Sequence, residues 1–221
     1  MNTTTNYSPN FDIKKRKPNK IKFLIFHYTG MKKEVDAINR LTDHKSKVSS
    51  HYFIKNNGEI INLVPDLYVA WHSGISSWQK FKSINKHSIG IEISNAGHNY
   101  KYKNFSKKQI NSILKLSRYL IKKYKIKSKF ILGHSDISPF RKKDPGEKFP
   151  WKNFYSRNIG IWNNLDPKIL LKARNQEINK LEKNIFIRNL HKIGYSKNDN
   201  KKNIYYKSKI TTAFQRRFRQ E

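Results

Sequence analysis

An uninterrupted apolar run near the start of the chain restricts the fold more than any other feature. The run IKFLIFH (residues 21–27) is rich in Ile and Phe and ends at a histidine. Consecutive apolar residues are typical of a strand buried on both faces, because a strand with one face in water alternates apolar and polar residues. The run therefore predicts a buried strand that ends at His27.

Two further segments carry strand patterns. HYFIKNNGEIINLV (51–64) has two β-prone runs around Asn56-Asn57-Gly58, the preferred chemistry of a tight hairpin turn. In SIGIEIS (88–94), isoleucines alternate with Gly90 and Glu92, which predicts a strand with one face in the core. Glu92 is then expected on the opposite face.

A helix and another strand follow. In FSKKQINSILKLSRYLIKKY (105–124), Ser106 and Gln109 match a capping box, and apolar residues recur at helical spacing. KFIL (129–132) predicts a short strand with Gly133 and His134 at its exit. This order of elements predicts an α/β fold, with a mixed central β-sheet flanked by helices and a small C-terminal helical domain.

Composition divides the chain into three parts. Residues 1–20 are polar and basic and contain proline, which predicts an extended N-terminal arm or a frayed end. Residues 21–166 hold the strand and helix patterns described above. Residues 167–221 become rich in Lys, Asn and Glu and predict two helices, at about 168–192 and 208–220.

The charge balance is strongly basic. The chain has 47 Lys and Arg against 15 Asp and Glu, a formal net charge of +32. Such a charge attracts polyanions, although the chain is rich in Lys, Ile and Asn throughout and part of the excess can be plain composition. Since there is no cysteine, disulfides and thiolate metal ligands are excluded.

The N-terminal twenty residues have no apolar segment typical of a signal peptide, and no later run reaches the roughly 18 apolar residues of a membrane span. As the sequence stands, the expected location is the cytoplasm. The periplasm is the alternative if a targeting segment is missing.

Three candidate metal ligands stand at strand ends or in loops. His27 and His134 each follow a predicted strand, and Asp144 comes ten residues after His134. Two nitrogens and one oxygen that leave a coordination position open are typical of a catalytic zinc site, because the open position holds the water to be activated. With eight histidines in the chain, surface and core roles are the alternatives for each of them.

Five separated blocks carry a family resemblance: FLIFHYTG, SSHYFIKNNGEI, AWHSG, SIGIEISNAG and GHSDISPFRKKDPGEKFPW. Their order and spacing resemble those of the zinc-dependent N-acetylmuramoyl-L-alanine amidases of the type 2 class. That class includes bacterial anhydromuropeptide amidases, phage endolysins and peptidoglycan recognition proteins. The resemblance covers about residues 20–165 and implies that residues 21–166 are a zinc amidase catalytic domain. The tail of the chain is similar to a small helical peptidoglycan-binding-like domain.

Site residues are implied by the same resemblance. His27, His134 and Asp144 match the zinc ligands, Glu92 matches a catalytic glutamate, and Lys142 matches a catalytic lysine, with Lys143 as the alternative register. Phage members place a catalytic tyrosine where this chain has Ser50, which favours Glu92 as the proton acceptor here.

Other residues are weaker candidates. We expect substrate contacts from Trp71, His72, Asn95 and Arg141, although Trp71 and His72 could equally anchor the core. Three polar or aromatic residues are expected to be structural or to have a docking role instead: His51, Asp136 and Tyr195.

The expected activity is hydrolysis of the amide between N-acetylmuramic or anhydro-muramic acid and L-Ala, with Zn²⁺ as cofactor and a peptidoglycan fragment or the polymer as partner. The alternative is a non-catalytic module that binds peptidoglycan or nucleic acid. No nucleic-acid-binding signature is present, and the His-Glu-x-x-His helix of many zinc peptidases is also missing.

Overall fold

The computed structural model describes residues 3–174, 176–197 and 205–219. The strands are β1 (Thr4–Thr5), β2 (Phe11–Asp12), β3 (Phe23–Tyr28), β4 (Tyr52–Ile54), β5 (Ile60–Asn62), β6 (Val69–Ala70), β7 (Ser77–Trp78), β8 (Phe81–Lys82), β9 (Ser88–Ile93) and β10 (Ile131–Gly133). The helices are α1 (Glu34–Thr42), α2 (Lys107–Tyr124), α3 (His134–Ile137), α4 (Trp151–Tyr155), α5 (Pro167–Arg174), α6 (Lys180–Ile193) and α7 (Tyr206–Phe218).

The main sheet has the strand order β1-β5-β4-β9-β3-β10 over the described residues. Strand β3 lies between β9 and β10 and runs parallel to both, and its residues 23–26 are fully buried. β4 and β5 form the predicted antiparallel hairpin. The predicted α/β fold, with a mixed sheet and a strand buried on both faces, is therefore confirmed.

The hairpin turn depends on glycine. Gly58 has a φ of +86°, a conformation that side chains with a Cβ disfavour. A Cβ at this position would also lie 2.8 Å from the backbone oxygen of Lys108 in α2. The turn therefore packs directly on the N-terminal end of the long helix.

One face of the sheet is covered by α2 and α4. Leu24 and Phe26 of β3 point to this face and meet the apolar side of α2, whose N-terminus has the predicted capping box of Ser106 and Gln109. Three aromatic side chains from residues 149–154 also contact Phe26 on this face: Phe149 stacks on its ring, Trp151 is tilted and Phe154 meets it edge-on.

Helices α6 and α7 pack on the opposite face of β3, and helix α1 packs on the same side of the sheet over the hairpin strands. Phe23 and Ile25 pack in one apolar cluster with residues of α6 and α7, among them Leu190 and Ile210. Helix α1 covers the neighbouring strands of the hairpin through a second cluster. His27, the next residue on this face of β3, belongs to neither of these two apolar clusters.

The C-terminal helices differ in one respect from expectation. The helix predicted at about 168–192 is interrupted, because Asn179 caps a new helix by accepting a hydrogen bond from the backbone N–H of Glu182. The second helix, predicted at about 208–220, is α7, although residue 220 lies outside the described residues. None of the helices formed by the described residues is long and apolar enough to cross a membrane.

The N-terminal arm lies against the body of the molecule as far as it is described. Strand β1 adds a parallel edge strand to β5, and β2 pairs with β6. Arg16 ends the arm in a partly buried position, where its guanidinium donates hydrogen bonds to the backbone oxygens of Asp66 and Asn85. Residues 3–16 therefore run along the sheet, and a single 3-10 turn at Pro18–Lys20 leads into β3.

A carboxylate at the junction of β4, α2 and the loop after β5 links these elements. Asp66 accepts hydrogen bonds from the hydroxyls of Tyr52 and Tyr124, each at 2.7 Å, and from the Lys123 ammonium at 2.8 Å. Burial alone would raise the pKa of this carboxyl, but the three hydrogen bonds hold it below its ordinary value. The ionised form therefore stabilises the fold.

We expect Asp66→Asn to lower the free energy of unfolding at pH 7 by about 1–3 kcal/mol, because charge-assisted hydrogen bonds are lost. Since the folded-state pKa is depressed, this contribution is complete above about pH 4 and disappears as the pH falls further. Urea unfolding at pH 7 and pH 3 measures the difference, with exposed Asp36→Asn as control. An Asp66→Asn deficit that is zero at pH 7, or equal at both pH values, contradicts the prediction.

Candidate metal centre and active-site cleft

The candidate site lies at the carboxyl end of three parallel strands. His27 of β3 and Glu92 of β9 are register partners on adjacent strands, so their side chains lie on the same face of the sheet. His134 is the first residue of α3, directly after β10. Asp144 returns to the same point because its backbone oxygen accepts a hydrogen bond from the Ser135 N–H at 2.8 Å.

Three predicted ligands converge through one atom each. The Nδ1 atoms of His27 and His134 are 2.9 Å apart. Asp144 Oδ2 lies 3.1 Å from the Nδ1 of His27 and 3.0 Å from that of His134. All three residues are buried, and they form a group that could hold a metal ion.

Nε2 of His27, the ring nitrogen that does not face Asp144, is held by a chain of hydrogen bonds. Ser88 Oγ donates to the backbone oxygen of Ile84 at 2.8 Å and therefore accepts from His72 Nε2 at 3.0 Å. His72 Nδ1 is then an acceptor, and the His27 Nε2–H donates to it at 3.0 Å. The proton of neutral His27 is thus on Nε2, which leaves a lone pair on Nδ1.

A single hydrogen bond fixes which ring nitrogen of His134 carries a proton. Its Nε2 lies 3.1 Å from the backbone oxygen of Ser73, which can only accept a hydrogen bond, so Nε2 carries the proton. Nδ1 is therefore the nitrogen that His134 turns toward Nδ1 of His27.

The charge states agree with this geometry. Burial lowers the pKa of His27 to about 4, so its imidazole is neutral at physiological pH. Burial alone would raise the pKa of Asp144, but His134 and His27 hold it well below its ordinary value. One carboxylate oxygen and two imidazole nitrogens lie within 3.1 Å of one another, a donor set that fits a bound cation.

A cleft of 390 Å³ opens beside this group. Its lining includes these predicted site residues: Trp71, His72, Glu92, Arg141, Lys142 and Asp144. The structure therefore brings the two candidate catalytic residues and most of the candidate substrate contacts to one cleft with the metal-capable group.

Glu92 is partly buried, and one of its two carboxyl oxygens is enclosed and unused. Its Oε2 has no solvent contact and no hydrogen-bond partner among the described residues. Burial, with a smaller effect of the Asp144 charge, raises the pKa of Glu92 to about 8, while Lys142 and Arg40 oppose the rise. A carboxyl with this pKa can accept and release a proton near neutral pH.

Two lysines line the cleft. Lys142 is half-buried, and its positive charge lowers the pKa of both Glu92 and His27. Lys143 is exposed and has no comparable effect on either group. The electrostatics therefore favour Lys142 over the alternative register.

The weaker candidates differ in their surroundings. Trp71 is half-buried at the cleft, and its Nε1–H donates to Asp12 at 2.7 Å. The exposed Arg141 donates from Nη2 to the backbone oxygens of Ser73 and Ile75, so it also holds the loop beside the cleft.

Asn95 is outside the cleft lining. Its side chain donates to the backbone oxygen of Lys103 and accepts from the Gly97 N–H, and so braces its own loop. Ser50 is also buried away from the cleft and donates to the Tyr52 backbone oxygen. His51 accepts from the Gly90 N–H and is no part of the three-residue group.

Some site residues have no signal in the sequence. The Ser73 backbone oxygen holds His134, but a backbone atom leaves no residue type to recognise. Ser88 is a small polar residue at the first position of β9, a place where such residues most often serve turns. Only their contacts across the fold identify them.

Comparisons with known proteins identify a family. Residues 17–147 match the family model described as N-acetylmuramoyl-L-alanine amidase. The amidase AmiD of Escherichia coli is 38% identical over 156 residues, which are 65% of this chain and 55% of that protein. The 1,6-anhydro-N-acetylmuramyl-L-alanine amidase AmpD of Haemophilus influenzae is 32% identical over 67% of this chain and 88% of that protein.

Solved structures give the same result. AmpDh3 of Pseudomonas aeruginosa has a TM-score of 0.77 and 28% identity, covering 94% of this chain and 85% of its own. AmiD of Escherichia coli, in complex with anhydro-N-acetylmuramic acid-L-Ala-D-γ-Glu-L-Lys, has a TM-score of 0.76 and 31% identity, covering 90% and 81%. Since the family model matches more than half of it, the chain belongs to the N-acetylmuramoyl-L-alanine amidase family.

Proposed function

We propose that this chain is a zinc-dependent N-acetylmuramoyl-L-alanine amidase. It would hydrolyse the amide between the lactyl group of N-acetylmuramic or anhydro-muramic acid and L-Ala. The observation that carries the proposal is the buried, convergent group of His27, His134 and Asp144 beside the Glu92 carboxyl oxygen that has no hydrogen-bond partner among the described residues. Support also comes from AmpDh3 and AmiD, whose structures hold an anhydromuramic pentapeptide and an anhydro-muramyl tripeptide.

The donor set suits zinc, which binds imidazole nitrogen and carboxylate oxygen and in catalytic sites keeps one position open. When bound, zinc polarises a carbonyl and makes water acidic enough to ionise near neutral pH. The chain holds its three ligands ready for this ion through Nδ1 of His27, Nδ1 of His134 and a carboxylate oxygen of Asp144.

Glu92 would move the proton. Its unpaired Oε2 can accept a proton from the attacking water and later donate it to the leaving amine of L-Ala. The elevated pKa suits both steps, because the same group must be a base first and an acid afterwards.

Lys142 would stabilise the negative charge that develops on the amide oxygen. Its ammonium is brought to the cleft by the loop between His134 and Asp144. A fixed positive charge in a partly desolvated cleft lowers the energy of a developing oxyanion more than it would in water.

Substrate binding would use the cleft rim and the basic surface. Trp71 offers an apolar face to the sugar or peptide, and Arg141 offers charge to stem-peptide carboxylates. The partner is a peptidoglycan fragment or the polymer. The cytoplasmic location expected from the sequence, with the periplasm as alternative, stays a prediction that cell fractionation tests.

The zinc-loaded chain should release peptide that begins with L-Ala, which mass spectrometry detects. Purified sacculi and anhydro-muropeptides, tested side by side, define the preferred substrate. His134→Ala should abolish release from both, because it removes one of the three ligands. No release by the parent chain, or full activity in His134→Ala, contradicts the proposal.

Glu92→Gln should lower kcat by about 10²–10⁴-fold, because the amide cannot accept a proton. The zinc content of the purified variant, measured by elemental analysis, should equal that of the parent, since Glu92 is outside the ligand group. Exposed Glu177→Gln is the control and should retain full activity. A Glu92→Gln variant that keeps the parent's kcat excludes Glu92 as the proton acceptor.

Lys142→Met should change the pH profile as well as the rate. Lys142 lowers the pKa of Glu92, so its removal raises that pKa, and the fraction of ionised base at a given pH falls. The acidic limb of kcat/KM against pH should therefore move to higher pH. Lys143→Met is the matched control and should leave the limb in place; a shift in this variant instead would assign the role to Lys143.

A further inference from the structure

Residues 72–73 touch both candidate ligand histidines from behind. The His72 side chain accepts the hydrogen bond from His27 Nε2 at 3.0 Å, and the Ser73 backbone oxygen accepts the one from His134 Nε2 at 3.1 Å. One short segment therefore decides which nitrogen of each histidine keeps a lone pair for the metal.

The segment is held by one side chain from another part of the fold. Asn85 Oδ1 accepts three hydrogen bonds: from the His72 N–H at 3.2 Å, the Ser73 N–H at 2.8 Å and the Ser73 hydroxyl at 2.7 Å. These contacts leave both backbone N–H groups of the segment satisfied. They also fix the Ser73 side chain and the peptide unit between His72 and Ser73. The Ser73 oxygen that accepts from His134 lies in the following peptide unit and also accepts from Arg141 Nη2 at 3.0 Å.

The turn that carries Asn85 supports the same segment in a second way. Residues 84–87 form a single helical turn before β9, and the backbone oxygen of Ile84 orients Ser88, which in turn holds His72 Nε2. β9 blocks the His72 ring on one side, since a Cβ at Gly90 would lie 2.5 Å from it. The ring therefore has little room to turn.

The turn is itself fixed to the N-terminal arm. Arg16 Nη1 donates to the backbone oxygen of Asn85 at 2.9 Å. The support of the histidines thus runs from the arm, through the turn, to residues 72–73.

We propose that Asn85 is a positioning residue of the metal centre, which holds His72 and Ser73 so that His27 and His134 both present Nδ1 to the ion. This inference rests on the proposed function, because it concerns the same metal site. Asn85 contacts the ligands only through residues 72–73.

The test uses the full chain and zinc ions, with affinity measured by competition against a chromophoric chelator. Asn85→Ala should weaken zinc binding by about 10–100-fold, the usual effect of losing a group that orients a ligand. Asn85→Asp keeps the accepting oxygen and should bind zinc about as tightly as the parent. Unchanged zinc affinity in folded Asn85→Ala overturns the proposal.

A matched control separates positioning from general stability. Asn95 also accepts a backbone N–H and donates to a backbone oxygen, but its contacts lie in a loop with no link to His72 or Ser73. Asn95→Ala should lower the thermal midpoint without weakening zinc binding. Loss of affinity in this control equal to that in Asn85→Ala overturns the specific role of Asn85.

A second readout needs no metal. Nitrogen-15 spectra of the imidazoles should show the Nε2–H form for His27 and His134 in the parent and a mixture of forms in Asn85→Ala. If Asn85→Ala does not fold, Ser88→Ala replaces it, because it removes the acceptor of His72 Nε2 and should also weaken zinc binding. Parent-like tautomers and affinity in the folded variant contradict the proposal.

The role of Asn85 and the proposed amidase activity can be refuted separately. A parent chain that binds zinc but releases no peptide refutes the amidase proposal and leaves the role of Asn85 open to the affinity test. A parent chain that is active, with zinc affinity unchanged in Asn85→Ala, refutes the role of Asn85 alone.

Discussion

The parallel register of β3 and β9 is the constraint on which the site depends. It places His27 opposite Glu92, so that a metal-capable group and a partly buried carboxylate lie on the same face of the sheet. Because side chains alternate along a strand, a slip of one residue in β9 would turn Glu92 toward α2 and bring an isoleucine to the cleft. The fully buried apolar residues of β3 oppose such a slip.

Two carboxyl groups in this cleft have opposite electrostatic environments. Asp144 receives the interactions of two imidazoles, and its pKa is depressed. Glu92 has one oxygen that lacks a hydrogen-bond partner among the described residues, and its pKa is raised to about 8. Burial disfavours the charge on both groups, so the difference comes from their neighbours. One carboxylate therefore suits ligation and the other suits proton transfer.

The C-terminal helices are tied to the same site through Asp136. This carboxylate accepts hydrogen bonds from the Gly133 N–H, the Tyr195 hydroxyl and the Arg217 guanidinium, each at 2.7–2.8 Å. Asp136, expected in a loop, lies in the short helix α3, where it accepts from the N-cap N–H of Gly133 and joins α3, which begins with His134, to α7. Tyr195 is buried in the apolar cluster between sheet and helices, which is the core role among those considered for it. The domain boundary between residues 166 and 167 stays a prediction.

Local patterns in the sequence determined the elements and the chemistry. The apolar run before His27, the Asn-Asn-Gly turn, the Ser106 capping box and the alternation around Glu92 depend on interactions between near neighbours, so each could be recognised in one segment. Residue types and motif spacing also identified the candidate ligands. Only the tertiary structure decided which nitrogens face the metal position, that Asn95 braces a loop, and that Asn85, Ser88 and the Ser73 oxygen support the histidines. The physical reason is that these roles depend on hydrogen bonds between segments far apart in the chain, whose geometry exists only after the sheet has assembled.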